Sequence, residues 1–321
     1  MTDDEITHPI NYASRRSGLS QHVIRAWERR YGAVEPLRTT TNRRSYTEQH
    51  VERLRLLKAL CDGGHSIGSI ARLSDDELRG MLAKTRLRVF EPPTNERLLA
   101  QPPADPGMHL EQCKETTRNQ DEHGLRTALS DAHVSLGLYR FLTDVVGPLM
   151  EWVGNAWHDG ELRISHEHLT SAVVRGYLSG LRDSSDGMGG EPAIVFSTPT
   201  DQHHEIGAQI AALLAGMEGW AGVYLGPNLP AEELVASAGI AGARAVALSV
   251  IYVPEAGRLL AFLKRLKSLL PESTELIVGG SGGALLADDL RGLGIRYVVS
   301  VEAFRTLLRE LRLQTGTGGA S

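Results

Sequence analysis

The chain has 321 residues, enough for two or three domains; its 41% hydrophobic content supports ordinary cores, and no apolar run is long enough to span a bilayer. Two cysteines, Cys61 and Cys113, lie far apart and outside any ligand-spaced cluster, which argues against a disulfide framework and a thiolate zinc site. The net charge of −5 conceals an asymmetry: residues 12–60 carry eleven Lys and Arg against four Asp and Glu, and that local +7 leaves −12 elsewhere, the pattern of a polyanion-binding module on an acidic protein.

The first residues, Met1 to Ile6, are acidic and lack the basic and apolar regions of a signal peptide, so a cytoplasmic protein is expected. From Tyr12 to Tyr31 the pattern is a short helix, a turn at Gly18 and a second helix capped by Ser20, which is helix-turn-helix punctuation. The second helix carries Gln21, His22, Arg25, Arg29 and Arg30 on its polar surface. Residues 36–46 form a polar hairpin with three arginines, a candidate wing, followed by an amphipathic helix from Glu48 to Leu60. Trp27 is expected in the core.

At Ile24-Arg-Ala-Trp-Glu-Arg-Arg-Tyr-Gly32, with Arg44-Ser-Tyr46 and Gly64-His-Ser-Ile-Gly-Ser-Ile70, the sequence resembles the amino-terminal domain of MerR-family transcriptional regulators. The resemblance implies an all-α winged helix-turn-helix over residues 1–80 that reads double-stranded operator DNA as a dimer or higher assembly. Carried onto the matching positions, it implies DNA contacts from Arg25, Arg29, Arg43, Arg44 and Tyr46. No heptad pattern follows, so self-association must come from the later domains.

A proline-rich linker is expected over residues 81–107 and a four-helix bundle over 108–183, with apolar spacing at Leu125, Leu129, Leu136, Leu142, Val145 and Leu149. Trp157 is expected in a loop of that bundle, and a flexible glycine-rich joint follows it. Residues 191–314 then alternate five apolar strands with five helices, which predicts a parallel α/β sheet of flavodoxin-like, Rossmann-like type; residues 315–321 read as a disordered tail.

The first strand of that domain leads into Ser197-Thr-Pro-Thr-Asp-Gln-His-His-Glu-Ile-Gly207, a strand-to-helix loop of the kind that lines ligand sites in doubly wound sheets. The set His204-x-x-Gly207, Ser249 and Gly279-Gly280 resembles cobalamin-binding domains. The resemblance implies that His204 is the lower cobalt ligand, with Gly207, Ser249, Gly279 and Gly280 lining the channel for the nucleotide tail. The family usually places an acid two residues before the histidine; here that position is Gln202, which is neutral and gives the imidazole less basicity. The register Asp201-x-His203 restores the acid but puts Ile206 where glycine is needed. Read without the resemblance, the loop is a solvated turn with two histidines.

Upstream, Trp157-His158 and Glu167-His168 resemble the upper-face motif of light-responsive cobalamin-dependent MerR repressors, the CarH/LitR-type group. The resemblance implies that Trp157, Glu167 and His168 surround the 5'-deoxyadenosyl group of adenosylcobalamin. It also implies that His158 becomes an upper cobalt ligand after light. His158, His166 and His168 taken as one protein-only metal site are disfavoured, because positions two apart on a helix point apart. The implied function is a non-enzymatic, light-sensing repressor, a homo-oligomer (tetrameric in the dark) with carotenoid-synthesis genes as targets. Two rivals stand beside it: a MerR-type regulator answering another cobalamin form, another tetrapyrrole or a protein partner, and a cobalamin carrier subunit of an enzyme.

Overall fold

The computed structural model describes residues 7–38, 43–62, 65–87, 105–183 and 190–313. Gly64, the acidic first residues, most of the expected linker and joint, and the tail lie outside the described residues. The chain divides into two compact units, residues 1–177 and 178–321.

The first unit opens with β1 (Thr7–His8) and α1 (Ile10–Ser17), which ends at Gly18 with φ of 72°. A residue with a Cβ is strained there, so glycine sets the turn. In α2 (Gln21–Tyr31) the Ser20 hydroxyl accepts the Val23 N–H, as the sequence predicts. The wing is the antiparallel pair β2 (Leu37–Arg38) and β3 (Arg44–Thr47), and β1 joins the other edge of β3. The β2–β3 pair is the hairpin expected over residues 36–46, and β1 adds a third short strand to an otherwise helical reader. After it come α3 (Glu48–Asp62), α4 (Ile67–Ile70) and α5 (Asp75–Leu87). One buried-side guanidinium ties these helices together: Arg53 donates to the carbonyls of Ala33, Ala71 and Leu73 and pairs with Asp75.

Four further helices follow: α6 (Pro106–Arg118), α7 (Glu122–Arg140), α8 (Gly147–His158) and α9 (Ile164–Asp183). They are not all short, and two features depart from the expected pattern. Helix α7 is broken at Gly137, where φ is 78° and ψ 166°, and a π-helical stretch, Phe141–Val146, joins it to α8. Trp157 is also not in a loop; it stands in the last turn of α8.

The reader packs directly on α7. Val134 belongs to the same buried cluster as Trp27, Ile24 and Leu57, and the Trp27 indole N–H donates to the Val134 carbonyl at 3.0 Å. Arg30 pairs with Asp131 at 2.8 Å, the Tyr31 and Ser135 hydroxyls meet at 3.1 Å, and His22 reaches Ser130 at 2.9 Å. Beneath them His133 is half-buried, with its Nδ1 3.2 Å from the Tyr177 hydroxyl.

The second unit is a parallel sheet of β4 (Gly190–Ser197), β5 (Trp220–Tyr224), β6 (Ala245–Ser249), β7 (Glu275–Gly279) and β8 (Arg296–Val298), ordered β5-β4-β6-β7-β8. Around it run α10 (Ile206–Met217), α11 (Ala231–Ile240), α12 (Ala256–Leu269), α13 (Ala287–Gly292) and α14 (Val301–Leu313). Alternation along the strands divides the core. Ile194, Phe196, Ala247 and Ile277 pack under α10 and α14, while Val195, Val246, Leu248 and Val278 pack against α11 to α13. The switch in strand order falls between β4 and β6, so the loops after these strands meet where ligands bind in such sheets.

Candidate functional site

In the reader, Arg25 and Arg29 are exposed on α2, the placement a groove-reading helix requires, and Arg43 is exposed beside the wing. Arg44 is placed differently: its Nε lies 3.0 and 2.8 Å from the two carboxylate oxygens of Glu28, so it ties the wing to α2. Tyr46 is corrected as a surface contact. It is 0% exposed within the reader core, and burial pushes its phenol up to about 12.

In the α/β unit, His203 and His204 stand exposed on the β4–α10 loop. The loop is held from beneath. Gln202 is buried and donates its amide N–H to the Tyr252 carbonyl at 2.7 Å, while the Thr198 hydroxyl donates to the Gln202 carbonyl at 2.5 Å. Asp201 takes φ of 66° and gives its N–H to the Asn228 side chain at 2.8 Å. These bonds fix the backbone on both sides of the turn, so the position of His204 is set by its neighbours.

Gly207, in the first turn of α10, lies against Ser249 at the end of β6, where a Cβ would lie 2.5 Å from the serine Oγ. Gly280, with φ of 98°, lies so close to the Val250 backbone that a Cβ would sit 2.3 Å from its carbonyl oxygen. The paired glycines therefore let two strand-end loops touch. Four of the five matching positions, Gly207, Ser249, Gly279 and Gly280, thus cluster around the ends of β6 and β7, with His204 on the adjoining loop.

The same end of the sheet exposes apolar surface after three strands: Ile251 and Tyr252 after β6, Leu285 after β7 and Val299 after β8. Exposed imidazoles on a braced loop, at a sheet end that also exposes apolar side chains and beside a crevice that a Cβ would fill, fit a large, largely apolar ligand held by a nitrogen donor.

In the helical region, Trp157 is 47% exposed and His158 beside it is exposed. Glu167 bridges the first turn of α9: one carboxylate oxygen lies 2.5 Å from His168 Nδ1 and the other accepts from Ser171 at 2.7 Å. The acid therefore fixes the orientation of the His168 ring. His166 is engaged elsewhere, with Nδ1 accepting the Arg163 N–H at 3.1 Å. Among the described residues no group of three or more His, Cys, Asp or Glu is placed to hold a metal by itself.

Residues 9–77 match the MerR HTH family regulatory proteins, and residues 109–181 match the B12 binding domain. The HTH-type transcriptional repressor CarH of Myxococcus xanthus is 31% identical over 281 residues, spanning 86% of this chain and 90% of that repressor. The chain belongs to the CarH family of HTH-type transcriptional repressors. A second relative in the same bacterium, the repressor CarA, is 26% identical over 311 residues, 96% of this chain and 98% of its own. The monomethylamine corrinoid protein of Methanosarcina barkeri shares the fold over 66% of this chain and 100% of its own, with a TM-score of 0.53 at 15% identity.

In this CarH-family chain the B12 match falls on α6 to α9, the helices that carry Trp157, His158, Glu167 and His168. Sequence reasoning missed Gln202 as a structural donor and Glu28 as the partner of Arg44. The first signal was present, since a buried loop residue needs a donor for a neighbouring strand-end carbonyl; the second was not, because residues 28 and 44 meet only through the wing.

Proposed function

We propose that this DNA-binding, cobalamin-binding repressor senses light through adenosylcobalamin. The observation that carries the reading is the exposed His204 on a braced loop beside the Gly207–Ser249 crevice, on the same chain as an arginine-bearing α2. His204 would hold cobalt from below, and Ser249, Gly279 and Gly280 would line the channel for the nucleotide tail. Trp157, Glu167 and His168 would enclose the upper group, and His158 would stand ready as a replacement ligand. Bound adenosylcobalamin supplies a light-labile cobalt–carbon bond. In the dark state the chains associate, most simply as a tetramer, and several weak readers on one operator gain avidity without new base contacts. The reading has no catalytic residue, places the protein in the cytoplasm and gives carotenoid-synthesis genes as targets. It divides the chain into a reader (1–80), a linker (81–107), a four-helix cap (108–183), a cobalamin-binding domain (191–314) and a tail.

Gln202 favours a second reading. Its amide N–H is committed to Tyr252, and no carboxylate stands two residues before His204, so the imidazole lacks the charge that strengthens a metal bond. A weaker lower ligand suits a regulator that answers a different cobalamin form without light.

Gel filtration with adenosylcobalamin, in darkness and after green light, separates the two. A cobalamin-loaded dark oligomer that shrinks on illumination supports the photoreceptor. Co-elution at a size indifferent to light supports the second reading; elution without adenosylcobalamin sinks the photoreceptor alone, and elution without cobalamin when methylcobalamin and hydroxocobalamin are also supplied sinks both.

A further inference from the structure

Helix α7 is broken where the reader sits on it. In a continuous helix the Leu138 amide would occupy the Val134 carbonyl. With ψ of 166° at Gly137 instead of about −42°, the Gly137–Leu138 peptide is turned over, and that carbonyl is instead taken by Trp27. The backbone conformation at Gly137 is one that side-chain-bearing residues avoid, and a Cβ there would lie 2.8 Å from the Cys61 Cβ of α3. The break, the close approach to α3 and the seat for the indole are therefore one arrangement.

The same turn of α7 also occupies part of the polar surface of α2. Asp131 neutralises Arg30 and Ser130 engages His22, while Arg25 and Arg29 stay exposed. A guanidinium paired with a carboxylate is lost to a phosphate, because the two anions compete for the same donors.

We propose that the Gly137 break is a latch on the reader: with α7 broken, α2 is held against it with Arg30 neutralised, and with α7 continuous, Trp27 loses its acceptor and α2 is released with Arg30 free for the DNA backbone. Gly137 is a positioning residue that makes the held state possible. The latch rests on the DNA-binding reading of α2 and not on the cobalamin reading.

The test uses the full chain without cobalamin and a 30-base-pair duplex of arbitrary sequence, with affinity measured across a salt series. Asp131→Asn leaves the backbone untouched and returns one cation to the DNA. The slope of log affinity against log salt steepens by about 0.9, and affinity at 0.1 M salt rises about eightfold. Gly137→Ala penalises only the held state, so amide exchange across residues 21–31 quickens and acrylamide quenching of Trp27 fluorescence, read against Trp27→Phe, increases.

An unchanged or shallower slope in Asp131→Asn overturns the proposal, and so does unchanged exchange across α2 in a folded Gly137→Ala. If Gly137→Ala fails to fold, Asp131→Asn still decides. Duplex binding by neither wild type nor Asp131→Asn sinks the DNA reading and the latch's consequence together. A normal salt response in wild type with no gain in the variant sinks the latch alone.

Discussion

Two glycines with positive φ, Gly280 at 98° and Gly137 at 78°, mark how differently the two units use the same backbone freedom. Gly280 lies in a strand-end loop and brings that loop against its immediate neighbour, Val250. Gly137 lies inside a helix and is matched to Cys61, a residue of another helix far away in sequence. The first glycine serves local geometry that recurs in sheets of this type, and its motif announces it. The second serves one particular tertiary contact, and nothing near it in the sequence announces that contact.

The largest effect expected from this contrast is at the loop. Gly280→Ala forces a Cβ to within 2.3 Å of a carbonyl oxygen at a strained φ, and nothing in two paired strand ends can move aside. A loss of about 3 kcal/mol in urea unfolding of the α/β unit is expected; a loss under about 1 kcal/mol would show that the β6 and β7 loops are not locked as described.

The helical side is sharpened by pH. Burial, with the nearby charges of His22 and Lys58, lowers His133 to about 4, so the folded chain keeps it neutral while the unfolded chain takes up the proton near the ordinary 6.5. Stability from this group is complete above about pH 6.5 and falls as pH drops toward 4. Between pH 7 and pH 5, wild type should lose about 2 kcal/mol more than His133→Gln, in paired urea titrations. Parallel losses would mean that His133 is not desolvated beneath the reader.

The smallest effect belongs to the loop's outer edge. Arg258 and Asp201 pair at 3.1 Å, but both are well exposed, so Arg258→Ala should cost no more than about 0.5 kcal/mol. A clearly larger thermal shift would show that the His204 loop leans on its surface as well as on Gln202 and Thr198.

The sheet was legible because the strands of the second unit are apolar runs bounded by turn residues, and the five strands expected over residues 191–314 are the five observed; what the pattern did not announce is the 3-10 turn, Ser281–Leu286, that leads into α13. The reader was legible through Gly18, Ser20 and the arginine spacing. In α7 the apolar spacing from Leu125 to Leu136 continues into Phe141, Leu142 and Val145, so periodicity passes straight through a break and a π-helical stretch that both depend on tertiary packing. Tyr46 was misjudged, and the Glu28 partner of Arg44 was missed, for a related reason. A residue type suited to DNA is equally suited to a core or an ion pair, and only the fold decides between them. In the ligand loop, His204, Gly207 and Ser249 could be picked out as a set, whereas the bracing by Gln202 and Asn228 required the backbone of three separate loops.

Because Val134 completes the cluster around Trp27, the reader is not a self-contained cassette. A fragment ending before α6 would carry an indole N–H and an apolar wall with no counterpart, and a chimera that grafts these first residues onto a foreign sensor would inherit that vacancy. Interchange between members of such a family therefore has its natural seam after α7, inside the helical region, and not in the proline-rich stretch that looks like the obvious place to cut.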